Sequence, residues 1–442
     1  MKLLFVILSC FFFPCTVFAI SNEKPPEPHY KIDLQSAMNL AAQHSYNLKA
    51  AQANTNSAQD TYNSAFRALW PNLTGAANST WQNNTLGQNA FHSTPQNLSS
   101  SGTLTFTQPL LGIIPLAHTV EQKNIALKIS QTLRAASEIQ AALLGAQYYL
   151  NLQLAFARVA IAQANITTLQ KSKQDAQSLF ETGSIYKDDY LRILLQYTQA
   201  QQSLVNEKSG LNIALFSLAQ SLGINSANDM KVIASDLSHW EKNNFNLPDL
   251  EESKQIAFKQ NQNILVAQSN VQLAEMNKTL SEDNYLPSLN AVVSYTKNFN
   301  SYDIHTNLSP ENTVAYGFSL TWNIWDWGVR SAQNSALVEQ VSSQEYLSES
   351  EKETILNSVV SQYYSIVNNI SAVKTAKESV TTADEAFNLV SFRFLNGQVT
   401  ALDLITAQQN LTASKADLAQ ARFNLDLAWL TFQTVLGKNP AL

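Results

Sequence analysis

Six histidines, His29, His44, His92, His118, His239 and His305, are the first residues to examine, because imidazole serves both as metal ligand and as general base. They are scattered without ligand spacing. Both cysteines, Cys10 and Cys15, lie in a leading apolar segment, so the rest of the chain offers zinc no thiolate. There is no phosphate-binding loop, no dinucleotide glycine pattern and no glycine-flanked nucleophilic serine. These absences argue against an enzyme, and no cofactor or metal is expected.

Two carboxylates do carry a hypothesis. Asp189 and Asp403 each stand six residues after a glycine, Gly183 and Gly397, in the turns Glu181-Thr182-Gly183-Ser184 and Leu395-Asn396-Gly397-Gln398. If several copies of the chain surround an axis with these acids facing inward, they form carboxylate rings that favour cations. The competing reading is that acids in the first turn of a helix complement its dipole, and Asp188 beside Asp189 fits that as well.

The elements that must position these acids come from a duplication. Pairing 34–73 with 250–289 at an offset of 216 (287 − 71) aligns Leu34 with Leu250, Ala41 with Ala257, Asn47 with Asn263, Ala58 with Ala274 and Pro71 with Pro287. Gln147-Tyr148-Tyr149 then matches Gln362-Tyr363-Tyr364, and Gly183, Asp189 and Leu222-Gly223 match Gly397, Asp403 and Leu436-Gly437. Two copies of one unit therefore organise the chain: a first repeat over 20–223, a linker over 224–248, a second repeat over 249–437 and a tail over 438–442.

Prolines sort each copy into parts. None occurs from 116 to 247 or from 311 to 439, and an interior proline costs a helix about 3 kcal/mol, so very long helices belong there. Apolar or small residues step by four and three, through Ile129, Leu133, Ala136, Gln140, Leu143, Gln147, Leu150, Leu154, Ala157, Ile161 and Ala164 in the first copy. In the second they run Ile355, Val359, Gln362, Ile366, Asn369, Val373, Ala376, Val380, Ala383, Phe387, Val390 and Phe394. That mean of about 3.5 is coiled-coil spacing. A helix over 116–181 would be roughly 100 Å long. The glycine turns close these rods, and return helices run back to Leu222 and Leu436; single helices over 34–67 and 250–283 precede them.

Strand signals fill the remainder. Tyr316, Phe318, Leu320, Trp322 and Ile324 alternate with Ala315, Gly317, Ser319, Thr321 and Asn323, the period of a sheet apolar on one face. Weaker versions occur at 73–81, 103–107 and 289–295, giving one hairpin per copy with long polar connections over 82–100 and 298–312. Lipid-facing barrels combine such strands with such loops. Trp322, Trp325 and Trp327 suit the membrane–water boundary, unless they cap a sandwich core. No segment after residue 19 has the ~20 consecutive apolar residues of a membrane helix, so any spanning is by strands. Four strands cannot enclose a wide pore, because barrel diameter grows with strand number; closure requires further copies.

The first 19 residues, with Lys2, an apolar run and Val17-Phe18-Ala19, read as a secretory signal, and lipidation at Cys10 or Cys15 is disfavoured by Leu8 and Pro14. Losing Lys2 takes the formal charge from −6 to −7, which argues against nucleic acid.

Across nearly the whole chain these residues resemble the TolC-like outer-membrane efflux protein family. The resemblance rests on the duplication, on Leu286-Pro287-Ser288-Leu289 opening a strand, and on Trp325-Asp326-Trp327-Gly328-Val329-Arg330 leading from strand to long helix. It rests also on Phe394-Leu395-Asn396-Gly397-Gln398-Val399 followed by Leu402-Asp403-Leu404. It implies a mostly α fold with a β-barrel part: a homotrimer whose twelve-stranded outer-membrane barrel continues as a twelve-helix periplasmic tunnel. It implies a periplasmic adaptor docking at the turns of Gly183, Ser184, Gly397 and Gln398, an inner-membrane transporter of the RND, ABC or MFS type, and outer-membrane lipid around the barrel. It places an entrance constriction at Asp403, Asp189, Phe394 and Thr406. The chain departs from the family where Asn47-Leu48 and Asn263-Ile264 replace an Asn-Pro start, and where Thr406 replaces an acid, so a double acidic ring does not carry over. The rival is an adhesive or structural trimeric coiled coil, which predicts no amphipathic strands.

Overall fold

The computed structural model describes residues 30–82, 97–224, 230–232, 247–299 and 311–440. The expected signal with both cysteines, the distal parts of both hairpin connections, most of the linker, and His29, His92, His239 and His305 lie outside them.

A short strand β1 (Tyr30–Ile32) leads into α1 (Leu34–His44) and α2 (Tyr46–Arg67), then the hairpin β2 (Asn72–Gln82) and β3 (Asn97–Pro109). The rod α3 (Ile113–Glu181) returns as α4 (Lys187–Ser221), and β4 (Met230–Val232) follows. The second copy repeats the order with α5 (Leu250–Gln260), α6 (Gln262–Asp283), β5 (Ser288–Asn298), β6 (Asn312–Thr321), α7 (Val329–Leu395) and α8 (Ala401–Val435).

Each helix expected before the strands is two helices. Ser45 breaks the first, its hydroxyl accepting from the Leu48 amide at 3.2 Å, and Asn261 breaks the second by accepting from Asn263 and Ile264. A side chain that caps a helix mid-run competes with the backbone's own ladder. The breaks also make room for the ends of the return helices. Gly437, at φ +83°, lies where a Cβ would meet the Asn261 nitrogen at 2.7 Å, and Gly223, at φ +69°, lies against the His44 ring. Asn261 Nδ2 then donates to the Val435 carbonyl at 2.8 Å, and Gln262 Nε2 to that of Gly437 at 3.0 Å.

The α3 rod begins three residues before 116. Pro115 sits in its first turn, where an amide has no intrahelical partner to lose. At 69 residues the rod is about 100 Å long. The α7 ladder is the packed face along its whole length: Ile355, Val359, Ile366, Val373 and Phe394 are buried and the intervening members half-buried. The α3 ladder is corrected. Leu133 and Gln140 are exposed, and beyond Ala157 the buried set moves to Ala162, Ile166, Leu169, Ser172 and Ala176. The reason is that α3 changes partners. Near the sheet it packs on α2 and α6, with Thr55 donating to the Ser130 carbonyl and Gln122 to Asn277. Lower down it packs on α4 and α8, where Gln408 donates to Asn165 at 2.8 Å. A rod with several partners has no single seam.

The helices thus form a layer, α2-α3-α6-α7 toward the sheet and α4-α3-α8-α7 toward the turns, with α2 and α4 on one flank and α7 on the other. Two apolar cores hold it at mid-length. One joins α1, α3, α4 and α8 around Met38, Leu152 and Leu218, and the other joins α5 to α8 around Ile264, Ile366 and Phe432. At Gly145 a Cβ would lie 2.8 Å from the Ala37 carbonyl, so glycine permits the close crossing of α1 over α3. Beside these cores β1 pairs in parallel with β4, a two-stranded patch inside what reads as irregular linker.

The four long strands form one antiparallel sheet in the order β2-β3-β5-β6. Trp322 and Ile324 fall outside it, because β6 ends at Thr321.

Candidate functional site

The register sorts the sheet into two faces. Opposed residues put Leu73, Phe106, Leu104, Val293, Tyr295, Val314, Tyr316, Phe318 and Leu320 on one, and Thr74, Thr105, Thr103, Ser294, Thr296, Thr313 and Ser319 on the other. The polar face is knitted by hydroxyls, with Thr103 and Thr296 hydrogen-bonded at 3.1 Å. The apolar face is bare: Tyr316 is 85% and Phe318 75% exposed. Burying a side chain of that kind is worth roughly 1.5–3 kcal/mol, so a patch this large requires an apolar medium. The outer edges of β2 and β6 have no strand partner among the described residues.

Where strand becomes rod, Asp326 organises the turn. It accepts from the Gly328 amide at 3.1 Å and from Arg330 Nε at 2.5 Å, while Arg330 also donates to the Asn284 carbonyl and lies over the Tyr285 ring. The three tryptophans stand here. Trp322 Nε1 donates to the Tyr285 carbonyl at 3.2 Å, Trp325 and Trp327 meet edge to face at 5.7 Å, and all three are exposed. Trp70, exposed just before β2, lies toward the same helix-facing end of the sheet and was missed by the sequence reading, which followed the strand's alternation and stopped at its first apolar residue.

At the opposite end the two turns share one core of Ala176, Ile193, Phe394, Ala401 and Leu404. Each is closed by a left-handed glycine, Gly183 at φ +76° and Gly397 at φ +69°. Ser184 donates back to the Leu179 carbonyl at 2.8 Å and Gln398 to that of Arg393 at 2.9 Å, so carbonyls at both rod ends are satisfied. The four turn residues are thereby presented at the rod ends on a packed base.

The constellation of Asp403, Asp189, Phe394 and Thr406 is only partly assembled. Phe394 is 2% exposed and packs inside the shared core, so its ring is a foundation of the turn and offers no face to a constriction. Asp403 and Thr406 line one groove between α7 and α8, together with Thr382, Asn410 and Glu378, an acid the sequence reading did not single out. Asp403 is exposed and closes a capping box: Thr400 Oγ1 and the Thr400 amide donate to its carboxylate at 2.7 and 2.9 Å, and its own amide donates back to Thr400. Those bonds, the hydroxyl's first, hold its pKa below the ordinary 3.8. Asp189 has no such box, since Tyr186 stands where the other copy has Thr400 and makes no side-chain cap. Both acids stand in the first turn of their helices, as the dipole reading requires, with Asp188 beside Asp189; only Asp403 also closes a cap, so the two are not structural equivalents. Among the described residues no group of histidine, cysteine and carboxylate side chains could hold a metal ion.

A sheet apolar on one face and hydroxylated on the other, mounted on rods of about 100 Å, is what strands facing lipid on one side and water on the other require. Comparison with known proteins agrees. The family model for outer membrane efflux proteins matches residues 37–224 and 254–438, and the chain belongs to that family. It is similar to outer membrane protein TolC of Escherichia coli, at 23% identity over 88% of this chain and 79% of that one. The pyoverdine export outer membrane protein OpmQ of Pseudomonas aeruginosa is 22% identical over 46% of this chain; the match spans less than half, 44%, of that relative. Among solved structures the channel CusC superposes with a TM-score of 0.80 at 16% identity, covering 93% of each chain.

Proposed function

We propose that this chain is one third of an exit duct that passively conducts solutes or polypeptides from an inner-membrane transporter across the periplasm and outer membrane. The observation that carries it is the sheet, whose two faces suit lipid and water and whose two edges are open. In lipid an unpaired strand edge is costly, and closure is the remedy. The edges differ, β6 on one side and β2 on the other, so copies join head to tail, and a head-to-tail contact that closes makes a ring. Three copies supply twelve long strands and, below them, twelve rods. The helical layer has matching flanks, α7 against α2 and α4 of the next copy.

The turns at Gly183-Ser184 and Gly397-Gln398 are the docking points for a periplasmic adaptor, beneath a transporter of the RND, ABC or MFS type. Asp403 and Thr406, with Asp189 nearby, line the entrance, and one carboxylate ring there biases passage toward cations. Pyoverdine export is what OpmQ's name describes, and it makes pyoverdine a reasonable first cargo to test. The adhesive coiled-coil reading leaves the amphipathic sheet without a role.

Two measurements test this. Native mass spectrometry of the detergent-extracted protein should give three chains, and planar bilayers should show conductance; a monomer without conductance refutes the reading. Cysteines at Ser184 and Gln398 should trap a periplasmic partner in cells, and finding none removes the adaptor.

A further inference from the structure

The two ends of the sheet that face the helices carry tryptophans at opposite edges. Trp70 stands between α2 and β2 on one edge and is 66% exposed; Trp325 and Trp327 stand between β6 and α7 on the other, 72% and 87% exposed. Trp327 is the single described residue other than glycine with positive φ, at 57°. An L side chain rarely adopts that backbone, and the surrounding bonds to Asp326 maintain it: Gly328 and Val329 both donate to Asp326, at 3.1 and 3.2 Å. The strain holds an 87% exposed indole outward, with its edge against Trp325.

Resting on the ring proposed above, we infer that Trp70 of one copy packs against the Trp325–Trp327 pair of the next, forming an aromatic clasp at each seam where barrel meets helices. The strands alternate in direction across β2-β3-β5-β6, so an antiparallel junction of β6 with the next β2 continues the alternation. It puts the C-terminal end of β6 beside the N-terminal start of the neighbouring β2. Trp70 precedes that start by two residues and Trp325 follows that end by four. The clasp occupies the level at which strand hydrogen bonding has stopped and helix packing has barely begun. Indoles serve there because they stack edge to face and their N–H tolerates the boundary between lipid and water. Inner-leaflet lipid is the other possible occupant of these rings.

The experiment uses the full chain, whose two cysteines both lie in the leading segment. Trp70→Cys combined with Trp325→Cys, and separately with Trp327→Cys, is oxidised in membranes and resolved without reductant. A ladder of linked dimers and trimers in at least one pair, absent from each single variant, supports the clasp. Native mass of the unsubstituted protein is measured beside it. Three chains with no linked species in either pair overturns the clasp and leaves the ring standing, whereas a monomeric unsubstituted protein overturns both. As a second readout, Trp70→Ala should lower the temperature at which the trimer dissociates in detergent while Trp70→Phe retains most of it. An unchanged Trp70→Ala midpoint would assign the ring to lipid and end the inference.

Discussion

Replacing Gly437 and Gly397 by alanine, one at a time, separates two reasons for a glycine that look identical in sequence. Both follow the last turn of a long helix, and both have left-handed backbone, φ +83° and +69°. An alanine in that conformation costs roughly 1–2 kcal/mol wherever it stands. At Gly397 a Cβ meets nothing within 4 Å, so the backbone term is the whole cost. At Gly437 the Cβ would be driven into the Gln260 carbonyl and to 2.7 Å from the Asn261 nitrogen, main-chain atoms that no rotamer change can move. Overpacking adds about 1–3 kcal/mol, so Gly437→Ala should cost about 2–5 kcal/mol in all. The break at Asn261 then opens together with the contacts of α5 and the end of α8, including the buried Ala257, Phe432 and Leu436. Amide hydrogen exchange in detergent reads this locally. Gly437→Ala should accelerate exchange in Leu250–Gln260 and in the last turns of α8 by at least tenfold beyond anything Gly397→Ala does there, since about 1.4 kcal/mol is a factor of ten. Equal effects of the two substitutions, or a larger one at Gly397, would refute the steric reasoning.

Two further tests address the wall and the entrance. Tyr316→Lys puts a charge on the bare apolar face and should cost about 2–4 kcal/mol of folding in lipid, whereas Ser319→Lys, on the hydroxylated face, should fold normally and alter ion preference. Refolding into vesicles followed by bilayer recording checks both, and comparable folding losses would mean the faces are misassigned. At the entrance, Thr400→Val removes the hydroxyl that lowers the pKa of Asp403, which should rise toward the ordinary value. Because the folded pKa is the lowered one, the cap contributes fully above about pH 4 and is lost as pH falls through that lower value. The variant should therefore lose its helix start at higher pH than the parent, by carboxyl NMR or exchange at 401–404. At neutral pH Asp403→Asn should reduce cation preference and Thr400→Val should not; identical conductance in all three would leave Asp403 as a cap alone.

The sequence announced some of this clearly. The α7 ladder was legible because α7 keeps one packed face from Ile355 to Phe394. The α3 ladder failed because periodicity reports a face only when the partner stays the same, and α3 exchanges α2 and α6 for α4 and α8 along its length. Ser45 and Asn261 are ordinary polar residues within helical stretches, and their role as breaks depends on the glycines at 223 and 437 arriving from nearly two hundred residues away. Alternation carried the strand prediction past Thr321 into Trp322 and Ile324, since nothing in a period of two marks where pairing ends. Asp189 and Asp403 sit at matching positions in the duplication. Only the identity of the residue three before each, Tyr186 against Thr400, betrays that one is a cap and the other is not.

The hydroxylated side of the sheet has a last consequence. Among the described strand residues on that side, from Thr74 through Thr103 and Thr296 to Ser319, there is no ionisable group. The strand wall there exerts no pull of its own on a departing ion, and acidity or salinity outside the cell cannot switch it. In the proposed ring, charge selection along the described wall falls to the helical entrance and not to these strands.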